Sequence, residues 1–272
     1  MIHFGGFSER STSDGVRVVV CDALCGCEHL FSTRCGGVST GAYASMNLTT
    51  STGDAPEAVE ENLRRLLPLI GADGMKVCRT HQIHEDQVLS VGAENALRFV
   101  EAPPACDGLV TAESGIVLMG QFADCVPILL CDPVRRVCAV VHAGWRGTVR
   151  RIAERAADAM HTRYGCRLAD CVAAVGPSIG PCCFLTHDDV ASAVRALDGV
   201  PAEDVMTPSP DGRMHVDLKR INALLLHRAG IGEIYVSTAC TCCTPERYFS
   251  HRRDGRARGG MAALIRLSGQ NG

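Results

Sequence analysis

The sequence predicts a layered α+β fold with mixed sheets, in which residues 1–272 form one domain. Three observations predict it. Short apolar, β-branched runs outnumber helix-periodic segments. They come in a block between Met75 and Val141 instead of alternating regularly with helices. Three of the four helix-periodic segments end at a glycine. A chain of this length hides about three quarters of its unfolded surface, so a sizeable core is expected.

Val16–Cys21 (VRVVVC) reads as a buried strand. Asp54–Ile70 reads as a helix with Asp54 as its cap, Pro56 in the first turn and Gly71 as its stop. Val59, Leu63, Leu66, Leu67 and Ile70 recur at helical spacing and give it one buried face. Strand-like runs follow at Met75–Cys78, Gln87–Val91, Gly108–Thr111, Ile116–Gln121, Pro127–Cys131 and Val137–Val141. A helix is expected over Gly147–Tyr164, with Val149, Ile152, Ala156 and Met160 inward and Gly165 as its stop. The remaining elements are a strand at Cys171–Val175, a helix at Asp188–Leu197 capped by Thr186, a helix at Val216–Ala229 ending at Gly230, and strands at Ile234–Thr238 and Met261–Leu267.

A formal net charge of −3 with no basic run excludes the electrostatic footprint of a nucleic-acid or membrane-surface protein. The opening MIHFGGFSERSTSDG has no basic start followed by an apolar stretch, and no run of about 18 apolar residues occurs. A cytoplasmic protein is therefore expected, as a monomer or small homo-oligomer. In that setting sixteen cysteines read as reduced thiols or metal ligands, not as a disulfide framework. Many of them, such as Cys21, Cys78, Cys138 and Cys171, sit in apolar runs and read as core.

Three segments place metal-competent residues where a strand yields to a loop: Thr80–Val88 (THQIHEDQV), Phe122–Pro133 (FADCVPILLCDP) and Val140–Thr148 (VVHAGWRGT). His84, Cys125 and His142 from these segments make a set of two imidazoles and one thiolate. Such a set suits Zn²⁺ and leaves a fourth position open, as catalytic zinc sites do. The spacing carries no short ligand motif, since Cys125 follows His84 by 41 residues and precedes His142 by 17. On the residues alone, hydrogen-bonded histidines and a core cysteine explain the same pattern. Cys125 as nucleophile, His142 as base and Asp124 as orienter would instead describe a cysteine hydrolase.

Two glycine-flanked loops bear arginines. His142–Thr148 runs from a strand through Gly144, Arg146 and Gly147 into a helix, where the free N–H groups of Gly147 and Thr148 would bind an anion. Phe31–Ser39 carries Arg34 and is followed by Tyr43 and Asn47, a donor set for a polar ligand. A plain strand–turn–helix connection accounts equally for the first, and the second alone is nonspecific, since an arginine in a glycine turn is usually just solvated. Cys240-Thr-Cys-Cys243 invites a metal reading, but three thiols so close in sequence strain one tetrahedral ion, and Cys182–Cys183 is the only other cysteine cluster. Arg247–Gly255 is dense in cations and reads either as an anion site or as a surface ion-pair network.

Eight stretches in order carry a resemblance: Ser32–Leu48 (STRCGGVSTGAYASMNL), His81–Val88 (HQIHEDQV), Cys106–Thr111 (CDGLVT), Ala123–Pro133 (ADCVPILLCDP), Val141–Thr148 (VHAGWRGT), Gly176–Phe184 (GPSIGPCCF), Val216–Asn222 (VDLKRIN) and Tyr248–Gly255 (YFSHRRDG). The chain resembles the YfiH-like proteins, also called the multicopper polyphenol oxidase laccase-domain family. The resemblance implies that His84, Cys125 and His142 bind zinc, and that His81 does not. It implies purine nucleoside phosphorylase activity on nucleoside and phosphate, with adenosine deaminase and methylthioadenosine phosphorylase as companion activities. Polyphenol oxidation and metal binding without catalysis are the rival readings. Copper fits less well than zinc, because the paired H-x-H motifs of a copper cluster are absent. On the phosphorylase reading Arg34, Arg146, Gly147 and Thr148 hold phosphate, Asn47 contacts the substrate, and Asp124 orients a ligand or accepts a proton. The late segment His251–Gly260 (HRRDGRARGG) departs from the family's YRRDGxTGR, with Arg256 or Arg258 as the replacement for an arginine now glycine at Gly260.

Overall fold

The computed structural model describes residues 1–269. It is a mixed α/β structure built on two large mixed sheets. The larger has seven strands in the order Ile2–Phe4, Glu233–Val236, Val172–Val175, Val126–Asp132, Val137–Ala143, Gly108–Thr111 and Val88–Val91. The second has six, in the order Phe7–Ser11, Arg17–Cys21, Cys27–Ser32, Met261–Leu267, Ile116–Phe122 and Lys76–Arg79. Parallel and antiparallel pairs mix in both: Val88–Val91 runs parallel to Gly108–Thr111, whereas Val126–Asp132 and Val137–Ala143 form an antiparallel hairpin. Leu185–Thr186, Met214–Val216 and Met206–Pro208 make a small third sheet.

The strands read as unbroken apolar runs because both of their faces are covered. On Val137–Ala143, Val137, Ala139, Val141 and Ala143 face one core while Cys138 and Val140 face another. The first core lies under the helices Ile152–Tyr164, Asp188–Arg195 and Leu218–Ala229. The second is the layer shared by the two sheets, where Leu129 and Cys131 meet Phe31, Leu118 and Ile265. A third, around Leu30, Leu66, Ile70 and Leu264, lies between the second sheet and the helix Pro56–Leu66. The order is helices, sheet, sheet, helix. No helix among the described residues is long and apolar enough to cross a membrane.

Several elements differ from expectation. The segment expected as one helix over Asp54–Ile70 is an α-helix at Pro56–Leu66 followed by a 3₁₀ turn at Leu67–Ile70, with Gly71 left-handed as its stop. Asp54 does not cap it: its carboxylate accepts from Ser39 Oγ and Asn47 Nδ2. The helix expected over Gly147–Tyr164 is two, Trp145–Val149 and Ile152–Tyr164, broken where Arg151 turns left-handed (φ 65°). Thr186 pairs in the small sheet, and His187 precedes the helix Asp188–Arg195 instead. The helix expected from Val216 starts at Leu218, where Asp217 caps it by accepting from the Arg220 N–H.

Candidate metal centre

One hairpin brings Cys125 and His142 together. Its register sets Ala143 opposite Val126 and His142 opposite Pro127. Cys125, just before the first strand, and His142, near the end of the second, therefore emerge at the same edge. Val137–Ala143 also pairs with Gly108–Thr111, Val141 opposite Gly108, and the His142 N–H donates to the Asp107 carbonyl at 2.7 Å. His84 arrives from the loop before Val88–Val91, the next strand out. The Cys125 sulfur and one ring nitrogen each of His84 and His142 lie within 4.8 Å of one another. The two rings meet edge to face, 4.9 Å between centroids.

Asp107 organises the set. It is 1% exposed, and its Oδ1 lies 2.8 Å from His142 Nδ1, which leaves Nε2 for the site. The same carboxylate accepts the backbone N–H groups of Ile83, His84 and Glu85 at 3.1, 3.1 and 2.9 Å. These bonds hold His84 at φ 60°, a conformation a histidine rarely adopts unless its surroundings impose it. Glu85 pairs with Arg150, and Asp86 with Arg155 at 2.6 Å, so the loop is also fastened to the helical layer. The sequence reading missed Asp107. Its only signal is position, directly before the strand in the CDGLVT stretch.

The electrostatics favour a thiolate at Cys125 beside a charged His142. Burial pushes the Cys125 thiol up, but the charge and hydrogen bond of His142, with a smaller contribution from His84, outweigh it and hold the thiol down at about 6. Burial pulls His142 down, yet the Cys125 thiolate and the Asp107 carboxylate raise it to about 9. A thiolate is thus already favoured at neutral pH, and a divalent ion bound here would replace the proton shared between these groups. Two imidazoles and one thiolate on a mutually close triangle fit the donor set of a zinc ion. Gly144 makes room for them: a Cβ there would sit 2.8 Å from His84 Nδ1 and 3.4 Å from Cys125 Sγ.

A cavity of about 550 Å³ opens onto the three residues. Its walls include Thr52, Arg79, Thr80, His81, Gln82, Gln121 and Arg258, and no carboxylate side chain among the described residues. Thr52 Oγ1, Thr80 Oγ1 and Arg258 Nε are buried without a hydrogen-bond partner. Arg258, one of the two arginines considered as replacements in the late segment, reaches the wall, with Gly260 beside it. Burial holds its guanidinium below the usual arginine range.

Arg34, Asn47, Asp124, Arg146, Gly147 and Thr148, expected from sequence to bind substrate or orient a ligand, are not among the residues that line this cavity. The Arg34 guanidinium donates to the carbonyls of Ala44 and Pro245 and packs 4.4 Å from the Phe249 ring. Asn47 is fully buried, and its amide serves Thr49, Asp54 and Gly260. Arg146 is exposed over its neighbour Trp145. Gly147 is buried against the Glu85 carbonyl, and Thr148 donates its N–H to Gly144 while its hydroxyl accepts from Asn222. Asp124, left-handed at φ 87°, turns its carboxylate to Thr241 Oγ1, Ser250 Oγ and the Arg252 N–H at 2.6, 2.9 and 2.6 Å. With three donors on it, Asp124 anchors the backbone next to Cys125 and is turned toward Thr241, Ser250 and Arg252. Neither arginine of the two loops expected to hold an anion lines the cavity; among the described residues, the arginines that reach it are Arg79 and Arg258.

Comparison with known proteins follows the same outline. The family model for the multi-copper polyphenol oxidoreductase laccase matches residues 28–268. A purine nucleoside phosphorylase of Deinococcus radiodurans is 40% identical over 244 residues, 90% of either chain. The human purine nucleoside phosphorylase LACC1 is 34% identical over 248 residues, 88% of this chain; the match spans only 55% of that relative's length, and the same share of the mouse one. The crystal structure of YlmD from Geobacillus stearothermophilus superposes with a TM-score of 0.87 at 34% identity, covering 96% of this chain and 99% of that one. A Bacillus licheniformis protein, YfiH, gives 0.88 at 32% over the same shares. The chain belongs to the multi-copper polyphenol oxidoreductase laccase family.

Proposed function

We propose that the chain is a zinc-dependent purine nucleoside phosphorylase, converting adenosine or inosine and phosphate to free base and ribose-1-phosphate. The observation that carries this reading is the cavity beside Cys125. At about 550 Å³ it lies in the range of small-molecule sites, and its charged wall residues outside the metal set are arginines. An apolar ligand would leave Arg258 Nε and the Thr52 and Thr80 hydroxyls unpaired, whereas a phosphate and a sugar satisfy them. The names of the relatives narrow the ligand to a purine nucleoside.

In phosphorolysis the ribosyl C1′ gains positive character as a phosphate oxygen attacks and the base departs. Arg258 and Arg79 supply the charge that gathers phosphate and fixes its orientation. Gln82 exchanges hydrogen bonds with the Gln121 backbone, at 2.8 and 2.7 Å, and so fixes the wall on which His84 stands. His81, the lining imidazole outside the metal set, would hydrogen-bond the departing base. His84, Cys125 and His142 would hold zinc, which would supply Lewis acidity toward a substrate oxygen. Adenosine deamination, with water in place of phosphate, and methylthioadenosine phosphorolysis are proposed as companion activities of the same cavity.

The test is phosphate dependence. Adenosine or inosine should yield base and ribose-1-phosphate only when phosphate is present, while conversion of adenosine to inosine persists without it. A chelator should stop both. Base release unchanged by omitting phosphate refutes the phosphorylase reading. One observation favours a second reading: Cys125, His142 and Asp107 stand in the order nucleophile, base, carboxylate. A cysteine hydrolase would ignore phosphate, survive the chelator and be inactivated by alkylation of Cys125. Phenol oxidation by copper-loaded protein without phosphorolysis would favour the laccase reading.

A further inference from the structure

Four cysteines converge on the far side of Asp124. We propose that Cys182, Cys183, Cys240 and Cys243 form a second metal site, closed and structural, holding one thiophilic divalent ion of the zinc class through four thiolates. It is separate from the His84, Cys125, His142 centre and stands or falls independently of the function proposed for that centre.

Their four sulfurs all lie within 4.8 Å of one another. Cys243 Sγ is 3.5 Å from Cys182 Sγ and 3.3 Å from Cys183 Sγ. Four sulfurs at about 2.3 Å from a tetrahedral zinc stand roughly 3.8 Å apart. One sulfur with close contacts to two others fits a shared ion better than a single disulfide, which joins sulfurs in pairs. Cys240 and Cys243 make a C-x-x-C turn, and Cys242 between them lies outside the cluster. The Gly180 N–H donates to Cys240 Sγ at 3.1 Å, a bond that stabilises a thiolate. Four thiolates on a divalent ion leave net negative charge, and a buried cation stands nearby. Lys219 is 5% exposed, and its ammonium donates to the carbonyl of Ala239, next to Cys240.

The site has a mechanical consequence. It would clamp segment 180–183 to segment 240–243, which backbone contacts already bring together, Ser178 bridging Cys240 and the Thr241 N–H donating to Ser178. Arg252 Nη1 donates to the carbonyls of Cys183 and Leu185, and Arg253 Nη1 to those of Thr241 and Cys242. Thr241, Ser250 and Arg252 in turn hold Asp124, the neighbour of Cys125. An ion here fixes the wall behind the first centre.

The experiment measures metal content and thiol reactivity of the full chain grown with zinc. About two zinc ions per chain are expected, one from each site. Cys240→Ser/Cys243→Ser should carry one, Cys125→Ala should also carry one, and the combined variant none. With cobalt in place of zinc, Cys125→Ala should keep strong thiolate charge-transfer absorption and Cys240→Ser/Cys243→Ser should lose most of it. Should the serine variant not fold, the wild-type chain still decides the matter. Cys182 and Cys243 are exposed, yet they should resist a thiol reagent until a strong chelator is added. One zinc per chain that vanishes in Cys125→Ala overturns the proposal. So do exposed thiols that react at the same rate with and without chelator, and so does a Cys182–Cys243 or Cys183–Cys243 disulfide in protein prepared without oxidant.

Discussion

Asp107 and His142 are joined twice, by carboxylate to ring at 2.8 Å and by carbonyl to backbone N–H at 2.7 Å. The carboxylate that orients one proposed ligand also holds the backbone of the other, His84. Asp107→Asn cannot accept on both side-chain atoms, so it should loosen both imidazoles. Zinc affinity should fall by about 10–100-fold, the usual effect of removing a carboxylate behind a metal-bound histidine. Competition against a chromogenic chelator measures it, and unchanged affinity would refute the role assigned to Asp107.

His84→Ala, Cys125→Ala and His142→Ala should each lose the zinc of the first centre, whereas His81→Ala should keep it. His81 lines the cavity but lies outside the group of three close ligand atoms. Elemental analysis of the four variants decides the set, with the cysteine cluster counted separately. Full retention in Cys125→Ala together with loss in His81→Ala would redraw the centre.

Strands such as Val126–Asp132 and Val137–Ala143 were legible because burial on both faces leaves apolar runs without interruption. Phe7–Ser11 was not, since it is an edge strand with exposed polar residues and no periodic signal. The break at Arg151 carries no glycine or proline to announce it. Three proposed ligands were found because their stretches resemble a family. Asp107 was missed because a lone acid before a strand looks like any other. The cysteine cluster was misgrouped for a related reason. Sequence proximity joined Cys242 to Cys240 and Cys243, whereas the fold supplies Cys182 and Cys183 from 57 residues or more away.

Arg258 should matter to phosphate where Arg34 and Arg146 do not. Its Nε is buried without a partner at the cavity wall, whereas Arg34 is satisfied by carbonyls and Arg146 stands outside. A charged hydrogen bond to an anion contributes about 1.5–3 kcal/mol, so Arg258→Ala should raise the KM for phosphate about ten- to hundredfold with zinc retained. Arg146→Ala should leave that KM within a factor of about two, as exposed charges outside a site usually do. Steady-state kinetics at varied phosphate gives the comparison. Equal effects at the two positions would return the anion site to the helix start at Arg146.

His29 should make stability fall with acid. The Cys21 N–H donates to its Nε2 at 3.0 Å, which requires a neutral ring, and burial together with the charge of Arg10 pulls the imidazole down from 6.5 to about 4. The folded value lies below the unfolded one, so the unfolded chain binds the extra proton. The contribution is complete above pH 6.5 and drains away as pH falls toward 4, by at most about 3 kcal/mol. His29→Gln keeps an acceptor for Cys21 without titrating. Urea midpoints across that window should fall less steeply for the variant than for the parent, and parallel slopes would exclude the buried neutral ring.

Gly144→Ala separates the metal centre from the fold that carries it. Gly144 sits at φ −67° and ψ 169°, a conformation open to alanine, so the backbone itself should tolerate the change. The new methyl would stand 2.8 Å from His84 Nδ1, inside any normal contact distance, and 3.4 Å from Cys125 Sγ. His84 is the ligand able to yield, because it lies on an exposed loop while Cys125 and His142 stand at the ends of buried strands. Displacement of one ligand out of three should weaken zinc by roughly tenfold or more. The melting temperature of the metal-free protein should stay within a few degrees of the parent, since no core contact is lost. Zinc affinity and metal-free melting, measured on the same preparation, make the separation. Parental affinity in Gly144→Ala would mean that His84 does not approach the ion as these contacts require.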